Sequence, residues 1–224
     1  MLHRQLSAAE SPERYKFPMA LRLTAHFFSV IFHPLFIPLY AVYFLAFIHP
    51  NYFTGFSAKQ KIWILMRVAY TMIFFPIITV LLLKALGFNK SFFLKTQQER
   101  IIPYIACGIF FFWAYLVFKN QPEIPGILTA FTFGVFISSS AALLMNIRMK
   151  ISMHAIGMGG LLGLLFMIMQ QQTMLMSWPL SLGFLLTGIV CTSRMIVSAH
   201  QPSEIYAGLI VGISCQLIAS FIVQ

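Results

Sequence analysis

Residues 124–146 read IPGILTAFTFGVFISSSAALLMN, a run without one ionisable side chain. The hydrocarbon core of a bilayer is about 30 Å thick, and about 20 apolar residues in an α-helix cross it. At that depth no water satisfies a backbone N–H or C=O, so an apolar run of this length is a helix. Comparable runs lie on both sides, at about 24–48, 62–86, 101–118, 152–171, 174–193 and 203–223. The expected fold class is therefore all-α, a polytopic transmembrane helix bundle of about six or seven spans. Residues 1–23 form a polar, basic N-terminal segment, and 24–224 a single transmembrane helical domain. Pro34 and Pro38 should kink the first span, because neither supplies a backbone N–H.

Composition agrees. Of 224 residues, 59% are hydrophobic and 9% charged, against about a quarter charged in an ordinary soluble domain. A soluble enzyme, a disordered tail and a nucleic-acid module are all excluded. Lys and Arg number 15 against 5 acids, giving a net charge of +10, which suits anionic lipid surfaces or an anionic ligand. All the acids are Glu. Cys107, Cys191 and Cys215 lie inside apolar runs, as small core residues do. Gly159 with Gly163, and Gly208 with Gly212, repeat at the four-residue spacing that lets helices approach closely. The excess of Lys and Arg on one side places the N-terminus and charged loops in the cytoplasm. Several of those charges belong to a candidate site, which leaves the face carrying it open. The chain reads as an integral multi-pass protein of the plasma (inner) membrane.

Ionisable residues near membrane depth are costly and so point to function. Three polar clusters stand out: Lys95-Thr-Gln-Gln-Glu-Arg100-Ile-Ile-Pro103, Lys150-Ile-Ser152-Met153-His154, and Ser193-Arg194 followed by His200-Gln-Pro-Ser-Glu204. Two spans separate each cluster from the next, so all three face one membrane surface. Ser152 stands where a helix N-cap belongs, and Pro202 and Glu204 occupy the first turn of the last span. Helix N-termini present unpaired N–H groups to anions. Lys95, Lys150, Arg100 and Arg194 add positive charge and fork-shaped donors. His200 and Glu204, four apart, share a helix face. The carboxylate would fix the imidazole tautomer and leave the other nitrogen free to attack. His154 supplies a second imidazole for proton transfer.

These residues resemble the type 2 phosphatidic acid phosphatases, integral membrane lipid phosphatases. The third motif of that family, S-R-x5-H-x3-D, is matched by Ser193-Arg194-x5-His200-x3-Glu204. Its second, P-S-G-H, is similar to Ile151-Ser152-Met153-His154. Its first, K-x6-R-P, is loosely matched by Lys95-x4-Arg100-x2-Pro103. The resemblance covers roughly 95–215. It implies that His200 is a nucleophile forming a phosphohistidine, oriented by Glu204, with His154 as general acid. Lys95, Arg100 and Arg194 would hold phosphate oxygens, Ser152 would add a hydrogen bond, and Ser193 would belong to the same phosphate-binding set. The mechanism uses no metal and no cofactor. Glu replaces the family's Asp, Met153 replaces a glycine, and the first motif is two residues short, which makes Lys150 an alternative to Lys95.

Two function classes follow. One is a membrane phosphatase acting on a lipid phosphate or polyprenyl diphosphate; the other is a catalytically degenerate relative that binds or moves an anionic lipid. A transporter fits less well, because transporter charges sit near the midplane. The expected partners are membrane lipids and the lipid phosphate substrate, with no nucleic acid and no known protein partner. His26, His33 and His49 read as interfacial or kink-associated, and Arg67 as snorkelling to the headgroups.

Overall fold

The computed structural model describes residues 17–87, 96–171, 174–197 and 199–223. Those residues are mostly helical, joined by short turns, with no strand among them. The helices are α1 (Met19–Ile31), α2 (Ile37–Tyr43), α3 (Ala58–Ala69), α4 (Phe75–Ala85), α5 (Gln97–Lys119), α6 (Gly126–Met145), α7 (Met153–Gln170), α8 (Ser177–Ile196) and α9 (Pro202–Val223). A π-turn, Phe44–Ile48, extends α2, and a second, Tyr70–Phe74, fuses α3 to α4. The second precedes Pro76, whose missing N–H and bulky ring forbid regular α-geometry in the turn before it. Six stretches are long and apolar enough to cross a membrane: Ala58–Ala85, Gln97–Lys119, Gly126–Met145, Met153–Gln170, Ser177–Ile196 and Pro202–Val223. The protein is an all-α, multi-pass membrane helix bundle.

The stretch at 24–48 is not one kinked span. The helix stops at Ile31, turns through Phe32–Phe36, and restarts at Ile37, giving two helices each too short to cross alone. Pro34 sits in the turn and Pro38 in the first turn of α2, where its missing N–H costs nothing. The Tyr40 hydroxyl reaches back to donate to the Ile31 carbonyl at 2.9 Å. That bond caps a carbonyl left free at the end of α1 and shows how sharply the chain bends. α1 then packs on α8, while α2 packs on α3 and α7.

From α5 onward the helices alternate in direction. Gln97 Nε2 donates to the Asn146 carbonyl at 2.7 Å, and Asn146 Nδ2 donates to the Gln97 carbonyl at 2.8 Å. This reciprocal pair ties the start of α5 to the end of α6. The Ser152 N–H, just before α7, donates to the Glu204 carbonyl in α9 at 3.3 Å. The starts of α5, α7 and α9 therefore lie at one end with the close of α6, so the three polar clusters do share a surface. At the opposite end the Tyr52 hydroxyl donates to Gln171 Oε1 at 2.6 Å. Arg67 bonds Gln121 there as well; its partner is the end of α5, so it does not simply snorkel. His49 is buried and stacks on Tyr52.

α7 and α9 form the most extensive helix pair, and glycine is the reason. A Cβ on Gly212 would fall inside contact distance of the Ile156 carbonyl, and one on Gly159 inside that of the Leu209 carbonyl. One on Gly208 would lie 2.9 Å from the Ser152 carbonyl. Backbone meets backbone along the seam, and this contact holds the first turns of α7 and α9 in register. Gly212→Ala is expected to lower stability by about 1–3 kcal/mol through overpacking. A lower thermal midpoint in detergent checks this. Gly188→Ala in α8, where nothing lies within 4 Å of the added Cβ, should leave the midpoint unchanged or raise it.

Candidate functional site

The first turn of α9 builds the centre of the site. Glu204 reaches back so that Oε2 accepts the Gln201 N–H at 3.1 Å, the reciprocal half of a capping box. The same oxygen lies 2.9 Å from His200 Nδ1, and the Lys150 carbonyl lies 3.0 Å from that nitrogen. A carbonyl and a carboxylate can only accept, so Nδ1 carries the hydrogen. The lone pair is then on Nε2, the nitrogen left to the cavity that His200 lines. The His200 side chain is 4% exposed and that of Glu204 18%. Burial pushes the His200 imidazole below its usual value of 6.5. The Glu204 hydrogen bond and charge oppose this, while Arg194 and Arg100 reinforce it.

The cavity has a volume of about 390 Å³, and His200, His154, Arg100 and Arg194 all line it. Arg194 comes from the last turn of α8, where a cation complements the helix dipole. Its Nε is buried with no hydrogen-bond partner. Arg100 comes from the first turn of α5, and its Nη1 donates to the Ile151 carbonyl at 3.4 Å. One turn further along α5, Tyr104 lines the same cavity. It is 6% exposed, and its hydroxyl lies beside the Arg100 guanidinium. A buried donor left unpaired costs about 1–3 kcal/mol, so Arg194 Nε beside the cavity points to a ligand or water that takes its hydrogen bond.

His154 behaves differently from His200. Its Nε2 lies 2.9 Å from the Ser29 carbonyl, so that nitrogen carries the hydrogen and Nδ1 is left with the lone pair. This bond clamps α1 onto the first turn of α7.

Not every predicted residue reaches the cavity. The Ser152 hydroxyl accepts the Ala155 N–H as the N-cap of α7, and the residue is fully buried. The Ser193 hydroxyl turns back onto the Ile189 carbonyl at 2.7 Å, the usual satisfaction of a hydroxyl within a helix. Neither serine borders the cavity, because each spends its hydroxyl on its own helix. Lys150 is not a lining residue either, and its Nζ reaches the Ala199 carbonyl at 3.4 Å. Lys95 lies outside the described residues. Among the described residues no three His, Cys, Asp or Glu side chains come together as a metal site would require. Sequence reasoning missed Tyr104, although its position four after Arg100 puts both on one helix face. It also missed His33, which lines the cavity.

Below this polar end the walls turn apolar. Arg100, Pro103, Tyr104, Cys107 and Phe111 form one stripe down α5, which at 1.5 Å per residue runs about 16 Å. Ile77 and Leu81 of α4 line the cavity while remaining 39% and 43% exposed on the bundle's outer face. Gln216, 1% exposed and held against Gly134 and Gly163, lies at the deep end.

Comparison with protein-family models, with curated proteins and with solved structures gives no match.

Proposed function

We propose that this protein is an integral membrane phosphatase that hydrolyses a lipid phosphate or polyprenyl diphosphate through a phosphohistidine. In this reading it is a divergent member of the type 2 phosphatidic acid phosphatases, resident in the plasma (inner) membrane. The observation that carries the reading is His200: both partners of Nδ1 are acceptors, which puts the lone pair on Nε2, and the residue lines the cavity with Arg100 and Arg194. A protein that only bound anionic lipids would need the two arginines and no such tautomer.

The geometry supports the following chemistry for this reading. Arg100 and Arg194 hold non-bridging oxygens of the terminal phosphate and stabilise its charge as it spreads in the transition state. Nε2 of His200 attacks phosphorus, the bond to the leaving oxygen breaks, and Glu204 stabilises the cationic ring through Nδ1–H. The leaving group takes a proton. In this reading His154 delivers it through Nδ1, since Nε2–H is held by Ser29, after its neutral ring has taken up a proton from solvent. Water then attacks the phosphohistidine, gives a proton back to His154, and releases inorganic phosphate. The apolar stripe suits a lipid tail, and the partly exposed α4 wall lets that tail stay in the bilayer.

The test is phosphate release by the purified protein in detergent with EDTA present, from a panel of lipid phosphates and polyprenyl diphosphates. Release from at least one of them is expected. A folded protein that releases phosphate from none would move the assignment to the lipid-binding relative. The pH profile carries a second expectation. The attacking ring must be neutral, and its proton is lost at a lower pH than usual. Activity should therefore persist as pH falls to 6.5 and decline only below it, read as the acid limb of kcat/KM. An acid limb centred above 6.5 would contradict the environment described for His200.

A further inference from the structure

We infer that His33 is a substrate-contacting residue of the same site, donating its Nε2–H to an oxygen of the bound phosphate group. The inference rests on the phosphate-site reading above and adds a residue that none of the three sequence clusters contains.

His33 lies in the turn between α1 and α2. Two contacts seat that turn on α7. The Ser29 carbonyl accepts from His154 Nε2, and Pro34 lies against Gly157, one turn after His154, where an added Cβ would meet Pro34 Cα and Cβ at 3.4 Å. The His33 ring then stands edge-on to the His154 ring, with centroids 5.4 Å apart, and borders the cavity.

The hydrogen bonds assign its tautomer. His33 Nδ1 accepts the Leu35 N–H at 3.4 Å, so Nδ1 bears the lone pair and Nε2 bears the hydrogen. A kink-stabilising role accounts for Nδ1 alone. It leaves Nε2–H without an acceptor among the described residues. The three cavity imidazoles are thus complementary. His200 offers a lone pair on Nε2, His154 a lone pair on Nδ1, and His33 a hydrogen. In its neutral form only His33 can hydrogen-bond an anion. With Arg194 Nε also unpartnered beside the cavity, its donor adds to the cationic lining of Arg100 and Arg194.

The experiment measures binding where no turnover interferes. In the His200→Ala protein, calorimetric titration is run with inorganic phosphate and, separately, with phosphatidic acid in detergent micelles. His33→Phe keeps the edge-on packing against His154 and Phe36 but removes the donor. His33→Gln restores an N–H on a side chain of similar reach. A hydrogen bond to a charged group is worth about ten- to hundredfold in affinity. Both ligands should weaken by that factor in His33→Phe and recover most of it in His33→Gln. Weakening confined to phosphatidic acid would still support the contact and restrict it to a lipid headgroup. Unchanged affinity for both ligands in His33→Phe overturns it. Wild-type protein that binds phosphate without turnover would remove the phosphatase reading and leave the His33 contact standing. Turnover that depends on His200, with binding indifferent to His33→Phe, would remove the contact alone.

Discussion

His200→Ala is expected to abolish phosphate release, lowering turnover by about a million-fold, as loss of a covalent nucleophile does elsewhere. No other lining imidazole can take over. The His154 lone pair belongs to a ring pinned by Ser29, and His33 presents a hydrogen. The fold should survive, because Glu204 keeps its bond to the Gln201 N–H and the α7–α9 seam does not involve His200. An unchanged elution profile and thermal midpoint in detergent check that point. Turnover near the wild-type level in a folded variant would remove the mechanism.

Glu204→Gln should cost about 10³–10⁴ in kcat, the scale seen when an acid that orients a catalytic imidazole becomes an amide. The amide is neutral, so it cannot stabilise the ring when it becomes cationic. It can also turn its NH₂ toward Nδ1, which moves the ring hydrogen to Nε2 and removes the attacking lone pair. Glu204→Asp separates charge from reach. The carboxylate stays but is one methylene shorter, and a smaller loss, about tenfold, is expected because the backbone of the first turn can adjust. Steady-state phosphate release from the best substrate measures both. Equal activity of Glu204→Gln and wild type would mean that the pairing with His200 only caps the helix.

Much of this architecture is legible in residue order because bilayer thickness imposes it. Uncharged runs such as 124–146 have one stable solution in hydrocarbon, and counting crossings puts the three clusters at one end. The i,i+4 spacing of His200 and Glu204 likewise forces them onto one face. Serine direction is not written in that way. Ser152 and Ser193 sit in the expected motifs, yet their hydroxyls satisfy Ala155 N–H and the Ile189 carbonyl, since a local backbone partner is always within reach of a short side chain. The region of 24–48 misled for a related reason. Hydropathy reports the length of an apolar run but not whether Pro34 bends or breaks it. Reading a bend puts His33 inside a continuous span, whereas the break carries it to the end of the bundle beside His154.

The glycine seam between α7 and α9 also bears on the order of biosynthesis. α7 is made about 50 residues before α9, a lag of roughly 3–10 s at ordinary elongation rates. During that interval the face carrying Gly159 and Gly163 has no helix against it. His154 is already on the chain while His200 is not. The cavity can therefore form only once α9 has docked, so a chain halted just after α8 carries Arg100 and Arg194 without His200.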